Sequence, residues 1–291
     1  MNKLVFLFFM FLSFSIYAKP VKLSVEGLTT EHKDLKLEAS SIYVNRTSTQ
    51  IESIPTQISI GDGVFVSVPG AINEFVGNTD TLIGTLNFRY GILPLTEINT
   101  RFSGFTKQIR VQNEETGRQE TINSNGFLDA WVGITQTLSP DTITPALLLS
   151  LETSVYQKNN FDSSSFNSWR IGLSSYRTID PIVLLISASY DFYSEINDGI
   201  SSVNPGNILT ITPSFSFAVN DRITIFTGVQ WLNKQSSTVE NIVQNQRLTS
   251  TNLELGANLL SLNNFIWGFS LTSFVSGEGG SNFKLKFSKD L

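Results

Sequence analysis

Two long runs of alternating side chains, joined by a two-residue polar turn, constrain this chain more than any other feature. They fill residues 204–231. In the first run Leu209, Ile211, Pro213, Phe215, Phe217 and Val219 share one face, and Thr210, Thr212, Ser214, Ser216 and Ala218 the other. Asn220-Asp221 turns the chain. Ile223, Ile225, Val229 and Trp231 rebuild the apolar face, opposite Thr224, Gly228 and Gln230. A two-residue repeat is the signature of a strand. Strands of soluble proteins run about 5–6 residues, whereas these have the length a tilted strand needs to cross a bilayer. An apolar face backed by a small hydroxylated one is what lipid outside and a polar lumen inside demand. Pro213 sits mid-strand and cannot donate to a ladder, and a closed barrel has no edge to hide it, so a bulge or local break is expected there.

The rest of the chain repeats this unit. Its 291 residues suffice for about a dozen such strands. Candidate wall strands fall at 35–45, 80–90, 96–110, 126–138, 144–157, 167–178, 182–193, 248–260, 265–275 and 282–288, besides the two above. Short turns at 91–94, 139–141, 179–181 and 261–263 alternate with long polar loops at 112–125, 158–166, 194–206 and 235–247. That asymmetry predicts an all-β, closed antiparallel transmembrane β-barrel of about 12 strands, with short periplasmic turns and long extracellular loops. Twelve strands put both ends of the wall on the short-turn side. Closure is obligatory, because each unpaired backbone group in hydrocarbon costs several kcal/mol. Residues 46–79 carry the turn signals Gly61-Asp62-Gly63 and Pro69-Gly70. Residues 58–68 read as a further strand or strand pair within a long surface loop, and residues 46–79 as a whole either plug the lumen or cap it from outside.

Composition agrees with a barrel. Charged residues make up 15% and mean hydropathy is +0.04, between a helical membrane protein and a soluble domain with about 25% charge. The net charge of −5 argues against nucleic acid as a partner. The absence of cysteine removes disulfides, thiolate metal sites and thiol catalysis. Residues 1–18 read as a secretory signal peptide: Lys3, an apolar stretch at 4–16, and a small residue, Ala18, at the cleavage site. Residues 19–34 then form a periplasmic lead-in, and 35–291 the outer-membrane β-barrel.

The segments at 168–184, Asn204-Pro205-Gly206 and 217–222 resemble the bacterial outer-membrane proteins described as "MetA-pathway of phenol degradation-like". Residues 81–91 with 95–101, and 127–129 with 145–151, are similar to earlier hairpins of that family. The resemblance covers most of the chain after residue 30 and implies an outer-membrane transporter of small, in part aromatic, molecules. The chain departs from the common barrel pattern in ending on Leu291 instead of an aromatic residue that guides assembly. Phe287 is the candidate to stand in for it.

Alternation assigns twelve charged side chains to the lumen: Lys36, Glu38, Arg89, Glu97, Arg101, Asp129, Glu152, Arg170, Asp191, Glu254, Lys284 and Lys286. They suit either a permeation path with acidic and basic walls or an ion-pair network filling a mid-sized barrel. The first and last strands adjoin, so Lys36 and Glu38 are expected near Lys284 and Lys286. Trp131 and Phe226 are placed inward. Trp169, Trp231, Trp267, Tyr43, Tyr90 and Tyr193 are placed in the interfacial aromatic girdles. The chain has one histidine, His32, ahead of the first strand. No barrel-borne Ser-His pair can therefore form, and neither an enzyme nor a metal site or other cofactor is expected.

The functional expectation is a passive channel or transporter for small solutes, hydrophobic or aromatic ones among them. Its partners would be outer-membrane lipid, the barrel-assembly machinery during biogenesis, and the solute. The alternative is a non-transporting structural or surface-binding barrel whose long loops contact external partners.

Overall fold

The computed structural model describes residues 29–48, 56–61, 64–68, 77–112, 119–158, 163–164, 168–197, 202–261, 265–276 and 280–291. The predicted signal peptide lies outside the described residues, as does most of the lead-in.

Twelve strands form the wall. They are β1 Leu35–Ser48, β2 Gly77–Leu93, β3 Thr96–Gln112, β4 Gln119–Ser139, β5 Ala146–Lys158 and β6 Ser168–Ile179. The second half is β7 Ile182–Tyr193, β8 Ile208–Asn220, β9 Ile223–Lys234, β10 Leu248–Leu260, β11 Phe265–Ser276 and β12 Ser281–Asp290. Each pairs antiparallel with its chain neighbours, and β1 pairs with β12, so the sheet closes. Closure leaves no strand edge open to hydrocarbon.

Alternation survives as inside and outside. Along β2, Leu82, Leu86, Phe88 and Tyr90 face out and are exposed, while Thr81, Ile83 and Thr85 face in and are buried. The exposed apolar belt continues through Phe102, Ile134, Leu151, Leu173, Leu184, Phe215, Ile225, Leu255, Phe269 and Phe283. Such a band is stable against lipid and costly against water. Phe287 packs edge-on against Trp267, with ring centroids 5.1 Å apart, and tilted against Phe265 at 4.9 Å.

The turns carry their own chemistry. Between β8 and β9 the Asn220 side-chain oxygen accepts from the backbone N–H of Arg222 and of Ile223, both at 2.9 Å. This is how a short polar side chain closes a tight turn. At Pro213 the pairing of β8 with β9 lapses over Thr212 and Pro213 and resumes at Ser214↔Gly228 in the same register. The expected local break is there, without a bulge; the register shift of that pair falls at Ala218/Asn220 instead.

Three loops differ from the sequence reading. β4 begins at Gln119, so the strand invades the expected loop at 112–125. The loops at 194–206 and 235–247 are joined by a four-stranded sheet of Ile196–Asn197, Ser202–Asn204, Ser237–Val239 and Ile242–Asn245. Alternation within one loop could not reveal pairing between two. The end of the lead-in is docked: His32 bridges to Gly91, and the Thr30 N–H donates to Glu97 Oε2 at 2.7 Å.

Candidate functional site

The lumen contains a hairpin made of Thr56–Gly61 and Val64–Val68. Ile58, Ile60, Val66 and Val68 pack with inward-facing Ile42 and Val44 of β1, Ile83 of β2, Phe105 of β3 and Leu128 of β4. Phe65 clusters with Tyr193, Ile208 and Leu232, at the long-loop ends of β7, β8 and β9. Only a segment inside a closed barrel can touch both walls. The alternative of an external cap is thereby excluded for these residues.

The two attachments differ in kind. Against β1–β4 the hairpin buries a continuous apolar surface. Against the far wall it offers one aromatic ring and a few polar contacts. Gln230 Nε2 donates to Ser59 Oγ at 3.2 Å, and Tyr193 Oη donates to Gln57 Oε1 at 3.4 Å. Lys284 Nζ donates to the Ile60 carbonyl at 2.7 Å. Gly61 has φ +97°, which only glycine adopts freely, and a side chain there would strike the Lys284 amine.

The predicted lumen charges fall into three groups. Around Glu38 sit Lys286 at 3.1 Å, Lys36 at 3.8 Å and Arg89 at 4.0 Å. Arg89 also reaches Glu97 at 2.7 Å. Around Glu152 sit Arg101 at 3.4 Å and Arg170 at 4.0 Å, and Arg170 reaches Asp191 at 2.6 Å. Asp129 is buried beside this group and forms no ion pair among the described residues. Glu254 and Lys284 line a small cavity beside the hairpin with Gln230, Thr272 and Asn282. Lys284 therefore meets the hairpin backbone, not Lys36 or Glu38 across the seam, because the Ile60 carbonyl lies closer to its end. Lys36 is opposite Asp290 in the β1–β12 register.

Trp131 is buried under the Arg101 guanidinium, 5.0 Å from its ring centroid. Phe226 lies across Gly256 of the neighbouring strand: a Cβ at Gly256 would come within 2.3 Å of the Phe226 ring. Tyr193, expected in the girdle, is buried at 8% exposure and points inward onto Phe65. It ends its strand, where position alone does not tell belt from lumen. Trp169, Trp267, Tyr43 and Tyr90 are exposed on the outer surface. The sequence reading placed Lys284 in the lumen but named none of the apolar wall residues that hold the hairpin, Ile42, Val44, Ile83, Phe105 and Leu128. One signal was present: Val64–Val68, VFVSV, is a nearly continuous apolar run, the mark of a strand covered on both faces.

On the short-turn rim, Asp141 in the β4–β5 turn accepts from the Thr178 N–H at 2.8 Å and from Arg177 Nη1 at 2.9 Å. Burial pushes the Asp141 carboxyl up. The Thr178 and Arg177 hydrogen bonds outweigh this and hold it below the usual carboxylate range. Among the described residues no side-chain group of metal-binding composition occurs.

Comparison with solved structures settles the architecture. An outer membrane channel from Pseudomonas putida superposes with a TM-score of 0.64, over 95% of this chain and 100% of that one, at 11% identity. The fold is an outer-membrane-type β-barrel. A monoaromatic hydrocarbon channel, the TodX deltaS2S3 mutant, matches at TM-score 0.50 and 9% identity, over 94% and 92% of the two chains. The translocator domain of the autotransporter NalP from Neisseria meningitidis matches equally well, at 0.50 and 10% identity over 91% and 90%. No protein-family model matches the sequence, and no curated protein does.

Proposed function

We propose that this protein resides in the outer membrane of a Gram-negative envelope, after export on a cleaved signal peptide, and forms a passive channel for small solutes. The observation that carries this reading is the lumen: largely polar, charged walls enclosing a hairpin that forms a sheet of its own and pairs with no wall strand. A barrel that served only as a scaffold would need no separate insert. The insert grips one wall through apolar packing and the other through Phe65 and three polar contacts, so it can yield on that side without the wall opening. The superposition on a known channel over nearly all of both chains agrees with this.

Hydrophobic or aromatic solutes fit the site. Displacing Phe65 would leave an apolar seat between Tyr193, Ile208 and Leu232, and the resemblance to phenol-pathway barrels points the same way. A second reading, an outer barrel binding external partners, draws on the exposed Ile242 and Val243 of the loop sheet.

Planar-bilayer recordings and liposome swelling with refolded protein test the channel. The intact chain is expected to conduct weakly, and a variant lacking residues 56–68 strongly. If neither variant passes any ion or small solute, the channel reading is wrong.

A further inference from the structure

Most of the charge in the lumen cancels locally. Of the twelve predicted lumen charges, five are ion-paired around Glu38 and four around Glu152, and Asp129 is buried beside the Glu152 group, away from the hairpin cavity. An ion pair acts at a distance as a dipole, whose field falls off faster than that of a single charge. Glu254 and Lys284 are different. No ion pair joins either to any described residue. The Lys284 amine donates to a backbone carbonyl, which leaves its full charge uncancelled.

Geometry keeps the two apart. Glu254 on β10 is opposite Thr272 on β11, and Thr272 is opposite Asn282 on β12, two residues from Lys284. Two strand spacings across the sheet and two residues along it separate their backbones by about 12 Å. The hairpin draws Lys284 further inward, onto Ile60. Both side chains nevertheless line the same cavity, between the hairpin's Ser59 and Gly61 and the β9–β12 wall. That cavity has room for about one or two water molecules, and its amide, hydroxyl and charged lining supplies the partners a water needs.

We infer that Glu254 and Lys284 set the charge selectivity of the passage beside the hairpin, Glu254 favouring cations and Lys284 favouring anions. This rests on the channel reading above. The passage lies on the hairpin's loosely held side, where a water-sized gap already exists. Two opposite, uncancelled charges facing one narrow gap give the wild-type barrel weak net selectivity. Removing either exposes the field of the other.

The test is reversal potential in planar bilayers under a potassium chloride gradient. Glu254→Gln should shift the barrel toward chloride. Lys284→Gln, which keeps a donor for the Ile60 carbonyl, should shift it toward potassium. The chain contains no cysteine, so Glu254→Cys and Lys284→Cys supply unique thiols for an independent readout. Both should react with charged, water-soluble methanethiosulfonate reagents in the folded barrel. Ser154→Cys, at a fully buried wall position, should not.

A conducting barrel whose reversal potential is the same in both Gln variants overturns the inference and leaves the channel reading standing. Failure of both thiols to react while folded also overturns it. A wild-type barrel that is silent in bilayers, while the Glu254→Cys and Lys284→Cys variants label, overturns the channel reading and with it the inferred selectivity.

Discussion

Lys286 of the last strand lies 3.1 Å from Glu38 of the first, across the seam that closes the barrel. The contact is diagonal: Glu38 is opposite Ser288, and Lys286 is opposite Ser40. Glu38 also faces Lys36 and Arg89, so three bases share it, and Glu97 holds Arg89 from the other side. Removing the shared acid withdraws a partner from all three bases at once. Glu38→Gln should therefore cost about 3–5 kcal/mol, and Lys286→Met clearly less. Reversing both charges should restore assembly only in part, because the base introduced on β1 meets Lys36 and Arg89. Heat-modifiable gel migration and urea titration read this. Equal losses in all three variants would refute the seam pairing.

Phe65 is the hairpin's anchor on the far wall. Phe65→Ala removes a ring that is 3% exposed, and large-to-small changes of this kind cost about 3–5 kcal/mol where the site does not collapse. Here the loss should fall on docking of the hairpin and spare the wall. Amide hydrogen exchange at residues 56–61 and 64–68 should accelerate while wall strands keep their protection, and single-channel conductance should rise. Unchanged protection of the hairpin would show that the apolar grip on β1–β4 holds it alone.

Gly256 gives way to the Phe226 ring. A methyl group there would lie 2.3 Å from the ring and 2.5 Å from the Phe269 carbonyl oxygen. The ring can rotate into the lumen, but the carbonyl belongs to the wall. Gly256→Ala should destabilise the barrel by about 1–3 kcal/mol, the usual cost of overpacking. The midpoint of urea unfolding followed by tryptophan fluorescence measures it.

The Asp141 carboxyl titrates below its ordinary value in the folded barrel. A depressed folded value means stability that is present above the unfolded value, about 3.9, and lost as pH falls through the folded one. The β4–β5 turn should loosen on acidification below about pH 4, and Asp141→Asn should flatten that response. The site is at the solvent-exposed rim, so the total effect should stay under about 1 kcal/mol. Proton-exchange rates at the Thr178 amide as a function of pH provide the check.

Lumen-facing positions were readable because alternation is local. Leu82, Leu86 and Phe88 on one side of β2 and Thr85 and Arg89 on the other announce their environments without knowledge of any neighbour. The apolar residues Ile42, Val44, Ile83 and Phe105 break the polar lumen face, and only the hairpin explains them. Tyr193 was misplaced for the same reason. Its environment is made by Phe65, which is far from it in sequence.

By itself, then, the sequence determined the strands, their bilayer-spanning length, the turns that join them and which side chains meet lipid, since each follows from a two-residue period and turn chemistry within a short window. The tertiary structure alone decided where residues 56–61 and 64–68 go and which charges cancel. Lys286 finds Glu38 because closure brings β12 against β1. Lys284, two residues away on the same face, finds the Ile60 carbonyl because the hairpin passes in front of it. No local pattern distinguishes those two lysines; the difference is made by what the closed wall encloses.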